Sequence, residues 1–165
     1  MFFSLPVFSQ SADDELINPK ELIPDLVVDL RYTANDHYFL NLPNGDVKLP
    51  KFYTNNETLV ILRAAKMLKT AQDSLRNIKS FNGNSYPEGI GLKIWDGYRP
   101  RSVQYLLFEI FPNPVYVADP NSGSMHNRGG AIDLTLIDLS TGEELEMPTE
   151  FDDFSDAAGL GYNDL

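Results

Sequence analysis

The sequence predicts an α+β fold, in which a small, mainly antiparallel sheet carries two main helices packed on one side. Three observations support this prediction. The 165 residues are 42% hydrophobic, which is enough for the core of one domain. Two segments repeat apolar residues at a spacing close to 3.6, as amphipathic helices do, and residues 131–139 alternate with the period of a strand.

The first half of the chain predicts a strand, a long irregular connection and a long helix. Residues 26–32 (LVVDLRY) are rich in apolar and β-branched residues and predict the strand. Residues 33–53 predict a long loop, or a hairpin with a type I′ turn at Asn44-Gly45. A capping-box pattern from Thr54 to Glu57 predicts the start of a helix that extends to Ile78.

The second half predicts two further strands around a second helix. Residues 81–89 form a loop before a strand at 91–96, and Pro100 suits the first turn of a helix through Phe111. In the strand that follows Gly130, Ile132 and Leu134 lie on one face, which predicts that Asp133 lies on the opposite, solvent-facing side. A turn at residues 140–142 leads into a last strand near residues 144–147.

The composition of the chain argues against several classes of function. The formal charge is −11, from 13 basic against 24 acidic residues, which disfavours binding to nucleic acid or to an anionic membrane surface. No stretch approaches the roughly 18 apolar residues of a membrane span. Because the chain has no cysteine, any metal must be bound by His, Asp or Glu.

The first residues have a separate interpretation. Residues 1–12 form an apolar stretch that ends in small and polar residues, like the tail of a secretory signal peptide without its basic n-region. The favoured interpretation is a signal-peptide remnant, and the alternative is an N-terminal arm packed on the domain. Residues 13–165 are then one domain. This predicts a periplasmic or secreted location, with a cytoplasmic one as the alternative.

A metal site is predicted from His126 and Asp133. His126 lies in a glycine-containing loop, seven residues before Asp133 on the predicted strand. Zn²⁺ accepts imidazole nitrogen and carboxylate oxygen, and a loop His beside a strand Asp can converge on one ion. The alternative is that His126 is an exposed loop residue and that Asp133 only caps a turn.

The string SMHNRGGAIDLTL at residues 124–136 resembles the zinc segment of the D-alanyl-D-alanine dipeptidases, the VanX-type zinc peptidases. The resemblance implies that His126 and Asp133 are two of three protein ligands to Zn²⁺. It also implies that Ser124 contacts the bound dipeptide, and that the α+β fold is of the zinc-peptidase type.

A second block, Trp95-Asp96-Gly97-Tyr98-Arg99-Pro100, resembles the same family. The resemblance implies that Arg99 stabilises the oxyanion. Independently, a guanidinium at a strand end can direct its donors at the negative oxygen of a tetrahedral intermediate, and Asp96 can fix its orientation. The alternative is a surface ion pair across a turn.

Two weaker matches extend the resemblance along residues 29–154. Residues 29–39 resemble an early Asp-Leu-Arg-Tyr block, with His37 and Tyr38 disturbing the spacing. Residues 141–152 resemble the segment in which a family Asp binds the free amino group of the substrate, and Asp152 occupies that place. The alternative for Asp152 is a capping or solvated residue in an acidic tail.

The resemblance also implies a C-terminal Glu-x-x-His that supplies the general base and the third zinc ligand, and the sequence contains no such motif. Three explanations compete. The favoured one is that the sequence lacks the C-terminal part of the family, and the others are that His37 acts as a ligand or that the protein is a non-catalytic relative.

The resulting expectation is zinc-dependent hydrolysis of D-alanyl-D-alanine, a small dipeptide substrate, in peptidoglycan metabolism of the cell envelope. Two alternatives stay open. One is a D,D- or L,D-carboxypeptidase that trims peptidoglycan stems, and the other is an inactive module that binds cell-wall peptides.

Overall fold

The structure is a computed structural model that describes residues 12–159 of the chain. It contains two α-helices, α1 (Leu62–Leu75) and α2 (Arg101–Ile110). The strands in these residues are β1 (Leu16–Ile17), β2 (Val27–Val28), β3 (Tyr38–Phe39), β4 (Val47–Lys48), β5 (Val60–Ile61), β6 (Ser80–Phe81), β7 (Asn84–Ser85), β8 (Ile90–Asp96) and β9 (Asp133–Asp138). Helices and strands together confirm the predicted α+β class.

The central sheet has three strands in the order β2-β8-β9. Strand β8 lies in the middle and is buried along its length except at Lys93, as expected for a strand with neighbours on both edges. It pairs parallel to β2 and antiparallel to β9. A register shift after Ile94 brings Asp96 opposite Asp133, so the end of β8 and the start of β9 place two carboxylates side by side.

Two hydrophobic clusters form the core. One contains Leu68 of α1 packed with Leu92 and Ile94 of β8. The other contains Val103 and Leu107 of α2, packed with aromatic residues from the first half of the chain. Each helix thus buries its apolar side in a different cluster. None of the helices within residues 12–159 is long and apolar enough to cross a membrane.

The first predicted helix was placed too early. Helix α1 begins at Leu62, and the capping box does not form, since the Glu57 amide donates to Asn55 Oδ1. The reason is tertiary: β5 pairs with β1, and this pairing holds the residues before Leu62 in an extended conformation. The apolar stripe is also narrower than predicted, because Met67 is 69% exposed.

Three other predicted elements differ from those in the structure. Residues 26–32 form only the two-residue β2, and the chain then turns into a 3-10 helix at Arg31–Thr33. The hairpin alternative for residues 33–53 is right, because β3 pairs with β4, but Asn44 does not adopt the positive φ that a type I′ turn requires. The last predicted strand is reduced to one bridge, between Ile137 and Glu144.

The prediction that Asp133 lies on a solvent-facing side of its strand is wrong. Thr135 and Ile137, which share that face of β9, are almost fully buried. Both faces of the strand are therefore covered, and Asp133 faces a cavity. The predicted signal-peptide remnant lies outside the described residues, apart from Ala12.

Candidate metal and dipeptide site

The candidate site lies where β8 ends and β9 begins. The end of β8 supplies Asp96, the turn before α2 supplies Arg99, and the loop before β9 supplies His126. Backbone hydrogen bonds join these segments, because the Arg99 amide donates to the His126 carbonyl at 3.0 Å. The Asn127 side chain donates to the Arg99 carbonyl at 2.8 Å. The His126 loop is therefore fixed to the strand end that carries Asp96.

Asp96 and Arg99 form a buried ion pair. Arg99 Nε donates to Asp96 Oδ2 at 2.8 Å, and its Nη2 lies 2.7 Å from the same oxygen. The other oxygen, Oδ1, accepts from the Tyr53 hydroxyl at 3.0 Å and the Gly97 amide at 2.9 Å. Burial raises the pKa of Asp96 above its ordinary value, although Arg99 favours the ionised form. Asp96 is thus committed to orienting Arg99.

Arg99 has further neighbours that fix its plane. Its Nη1 donates to Gln104 Oε1 at 3.1 Å, and its guanidinium lies over the Tyr32 ring at 5.4 Å. Burial disfavours its charge, but Tyr32, Asp96 and Asp133 together raise the pKa of Arg99. The guanidinium therefore stays charged, with an edge lining the cavity.

His126 is oriented by a backbone carbonyl. Its Nδ1 lies 2.9 Å from the Gly97 carbonyl oxygen, which can only accept, so Nδ1 carries the hydrogen. The backbone at Gly97 is also closely packed, because a Cβ there would collide with the Thr58 hydroxyl. In neutral His126 the unprotonated nitrogen is then Nε2. A hydrogen bond from the second ring nitrogen is the usual way in which proteins orient a metal-binding His.

His126 Nε2 faces Asp133. It lies 3.5 Å from Asp133 Oδ1, close to the roughly 3.3 Å expected between two ligands about 2 Å from one tetrahedral ion. Burial lowers the pKa of His126, but the neighbouring Asp133 outweighs this, and the net shift is upward. A free imidazole nitrogen beside a carboxylate at this separation fits a divalent metal such as Zn²⁺.

Asp96, His126 and Asp133 form the one group of three potential metal-binding side chains among the described residues, and their ligand atoms lie within 4.8 Å of one another. The chemistry of Asp96 argues against ligation. Both of its oxygens already accept two donors each, and Oδ2 is the counter-charge of Arg99. The described residues therefore offer two metal ligands, His126 and Asp133.

Ser124 lines the same cavity and also shapes the loop. Its hydroxyl oxygen accepts from the His126 amide at 3.2 Å, and its own amide donates to Asn127 Oδ1 at 2.8 Å. These bonds support the short 3-10 turn His126–Arg128. The hydroxyl hydrogen stays available to a molecule in the cavity.

Asp152 lies on another wall of the cavity. Its Oδ2 is 3.0 Å from the Tyr32 hydroxyl and 2.8 Å from His37 Nε2. Burial raises the pKa of Asp152 above its ordinary value, and the contacts with His37 and Tyr32 act in the opposite direction. Its backbone adopts φ +59°, a left-handed conformation that Asp and Asn tolerate better than most residues.

The cavity has a volume of about 210 Å³. Its polar lining includes Arg99, Ser124, His126, Asp133 and Asp152, so the structure brings together all the predicted site residues apart from the fully buried Asp96, which touches the lining through Arg99. A cavity of this volume suits a small molecule rather than a protein chain.

The comparison with known proteins decides the family. The family model described as D-ala-D-ala dipeptidase matches residues 12–163. The chain belongs to this family. It is 33% identical to a D-alanyl-D-alanine dipeptidase of Escherichia coli K12, over 84% of this chain and 62% of that protein.

Two other D-alanyl-D-alanine dipeptidases of the family are similar over a shorter stretch. Those of Enterococcus faecium and Enterococcus faecalis are 37% and 38% identical, over 39% of this chain and 41% of each relative. The chain thus spans less than two thirds of the length of these family members.

Sequence reasoning missed several residues of this family site. Gln104 is fully buried, accepts from Arg99 and donates to the Ala118 carbonyl at 2.8 Å. The sequence does indicate this role for Gln104, because the residue stands between Val103 and Leu107 on the apolar stripe of a helix. A polar side chain buried there needs hydrogen-bond partners. Tyr32 and Tyr53 gave no comparable signal, because each contacts a partner far away in the sequence.

Two further side chains that could bind a metal, Glu144 and His37, have other partners. Glu144 Oε1 accepts from Arg31 at 2.7 Å, from Lys93 at 3.1 Å and from Trp95 at 3.3 Å, which commits it to a structural cluster away from the cavity lining. The structure also does not bring His37 to the pair of His126 and Asp133.

Proposed function

We propose that the protein is a zinc-dependent dipeptidase that hydrolyses D-alanyl-D-alanine in peptidoglycan metabolism, and that it acts in the periplasm or outside the cell. The observation that carries this proposal is the His126 imidazole, whose Nε2 is left free beside Asp133, and the other oxygen of Asp133 lies 3.5 Å from the guanidinium of Arg99. The family membership and the names of the relatives support the substrate.

His126 and Asp133 would hold the metal. When bound, Zn²⁺ supplies Lewis acidity for the peptide carbonyl. The Gly97 carbonyl keeps the hydrogen of His126 on Nδ1, and so keeps Nε2 ready for the ion. The third ligand of the resembling family, the His of Glu-x-x-His, has no counterpart in this sequence.

Arg99 would stabilise the negative oxygen that develops on the carbonyl. Four of its five N–H groups have partners: Nε and one Nη2 hydrogen contact Asp96, one Nη1 hydrogen contacts Gln104, and the other Nη2 hydrogen contacts Asp133 at a long 3.5 Å. The second Nη1 hydrogen has no partner among the described residues. Because these contacts already hold the guanidinium in position, it needs little reorganisation free energy when negative charge develops on the substrate.

Asp152 and Ser124 would position the dipeptide. The Asp152 carboxylate would accept from the substrate's ammonium group, and the Ser124 hydroxyl would donate to one of its oxygens. In a chain that is acylated or extended at this nitrogen, the nitrogen is a neutral amide, so this contact would favour a dipeptide over a longer chain.

The metal assignment is tested by titrating the protein with Zn²⁺ by calorimetry. The matched variants are His126→Ala and His37→Ala, which each remove one of the chain's two histidines. We expect His126→Ala to lose zinc binding and His37→Ala to retain it. Unchanged zinc affinity in His126→Ala would refute the assignment.

The activity is tested with D-alanyl-D-alanine and Zn²⁺, by measuring released D-alanine. Arg99→Lys keeps the charge but loses the planar donors, so we expect a fall in kcat of about 10²-fold. Zinc binding without turnover, in the full natural protein, would refute the dipeptidase proposal.

A non-catalytic module that binds cell-wall peptides is the second candidate. It is favoured by one observation: no glutamate lines the cavity within the described residues, so the glutamate base that the family resemblance implies is not among them. Dipeptide binding without hydrolysis by the full natural protein would support this candidate. Release of D-alanine from a longer peptidoglycan stem would instead support a carboxypeptidase.

A further inference from the structure

His37 is the chain's other histidine besides His126, and it contacts Asp152 rather than the candidate metal ligands. We propose that His37 is a positioning residue for recognition of the substrate's amino group: together with Tyr32 it holds one oxygen of Asp152, so that the other faces the cavity. The inference rests on the proposed function, in which Asp152 accepts from a free ammonium group.

The pattern of contacts on the carboxylate carries the proposal. Both His37 Nε2, at 2.8 Å, and the Tyr32 hydroxyl, at 3.0 Å, contact Oδ2 of Asp152. Within residues 12–159, no side chain or amide contacts Oδ1, although Asp152 lines the cavity. Two donors on one oxygen suppress rotation of the carboxylate, and they leave Oδ1 as the acceptor for a molecule in the cavity.

His37 is itself held in place, as a positioning residue must be. Its ring packs against Tyr32 at 5.5 Å and against Phe151 at 5.3 Å, and its side chain is 13% exposed. Its carbonyl accepts from the Leu49 amide at 2.8 Å, next to the β3–β4 pairing. Rotation of the ring away from Asp152 would lose the two ring contacts.

The backbone of Asp152 is tied to the same hairpin. The Leu40 amide donates to the Asp152 carbonyl at 2.9 Å, and the Phe154 amide donates back to the Leu40 carbonyl at 3.1 Å. Backbone hydrogen bonds therefore join the segment with His37 to the segment with Asp152, although 115 residues separate the two side chains.

The hydrogen-bonding chemistry of His37 suits this task. With a hydrogen on Nε2 it donates to one oxygen of the carboxylate, which can accept from an ammonium group through its other oxygen. The carboxylate stays accessible, because the contacts of His37 and Tyr32 are both made to Oδ2. Loss of His37 would leave Tyr32 as the one side-chain donor on Asp152 among the described residues.

The test measures, by calorimetry, the binding of two ligands that the zinc-loaded protein cannot hydrolyse: the analogue of D-alanyl-D-alanine in which a methylene group replaces the peptide nitrogen, and the N-acetyl derivative of this analogue, which lacks the ammonium group. The protein should prefer the analogue with the free ammonium group. His37→Ala should reduce this preference about tenfold, the order of one hydrogen bond to a charged group. His37→Gln, whose amide nitrogen can take the place of Nε2, should restore most of it.

Controls separate positioning from folding. Tyr38→Ala changes the exposed neighbour of His37 and should leave the preference unchanged. Asp152→Asn should abolish the preference, and Asn tolerates the left-handed backbone at this position. If His37→Ala does not fold, the comparison of His37→Gln with His37→Phe replaces it, since Phe fills the ring space without a donor.

The outcomes are distinguishable. A His37→Ala or His37→Phe protein that retains the full preference would refute the inference about His37 while the proposed function stands. A natural protein that binds both ligands equally, or neither, would refute the role of Asp152 and the inference with it. A lower melting temperature with an unchanged preference would assign His37 a purely structural role.

Discussion

Replacing Asp96 by Asn tests whether the buried carboxylate holds Arg99 in place. Asn can keep an oxygen toward the Tyr53 hydroxyl and the Gly97 amide, which contact Oδ1 in the native protein. It then presents an amide NH₂ to Arg99, where the native protein has Oδ2 accepting at 2.7 and 2.8 Å. Two donors then face each other, and the guanidinium loses its closest counter-charge.

The magnitude follows from the burial of the pair. Asp96 is fully buried and Arg99 is 8% exposed, so solvent screens their interaction little. Removing one partner of a buried ion pair costs about 3–5 kcal/mol. Burial raises the pKa of Asp96 although Arg99 acts in the opposite direction, so the ion pair does not fully offset the cost of burying the carboxylate. We therefore expect a loss of stability at the lower end of this range, about 3 kcal/mol.

Urea denaturation, followed by far-UV circular dichroism and by fluorescence of the single tryptophan, Trp95, measures this loss. Asp73→Asn is the matched control, since Asp73 forms an exposed ion pair with Lys69 and should change stability by less than about 0.5 kcal/mol. If Asp96→Asn loses less than about 1 kcal/mol, Asp96 does not hold Arg99 as argued.

Three further predictions concern the same network. Gln104→Leu removes the acceptor of Arg99 Nη1, so we expect a loss of about 1–3 kcal/mol in urea denaturation, and unchanged stability would contradict the contact. Gly97→Ala should destabilise by about 1–3 kcal/mol, and adding Thr58→Ala should recover at least half, because the new Cβ collides with the Thr58 hydroxyl. The pKa of His126 is raised above its ordinary 6.5, so protons compete with Zn²⁺ for Nε2. Zinc affinity by calorimetry should therefore rise as the pH increases through and above 6.5, by about tenfold per unit below that pKa; a flat profile would contradict His126 as a ligand.

The elements with a strong period or punctuation were predicted well. Strand β8 and helix α2 lie within a residue of their predicted bounds, because a buried apolar run and the prolines around α2 specify them locally. The start of α1 could not be predicted from local signals. The capping pattern at Thr54 suits a helix, but pairing of β5 with Leu16 and Ile17 determines the conformation before Leu62.

In the candidate site, too, contacts between residues close in the sequence were predicted and a contact between distant residues was not. The proximity of His126 and Asp133 was predicted from one contiguous string, and that of Asp96 and Arg99 from a spacing of three residues. The contact of His37 with Asp152 joins two distant segments through a hairpin whose register the sequence does not reveal. Sequence reasoning therefore placed Asp152 at the site only through the family resemblance.

The charges of the site explain why a metal and a zwitterion suit it together. Three carboxylates, those of Asp96, Asp133 and Asp152, stand against the one guanidinium of Arg99, which leaves a net charge of −2 when the histidines are neutral. Burial raises the pKa of both Asp96 and Asp152, and repulsion from Asp133 acts in the same direction. A divalent cation at His126 and Asp133 would cancel this excess, so that the carboxylate end of a dipeptide meets no net repulsion. Asp152, on another wall, would still keep a local negative charge for the ammonium end, and the cavity would then be matched to a small molecule that carries both charges.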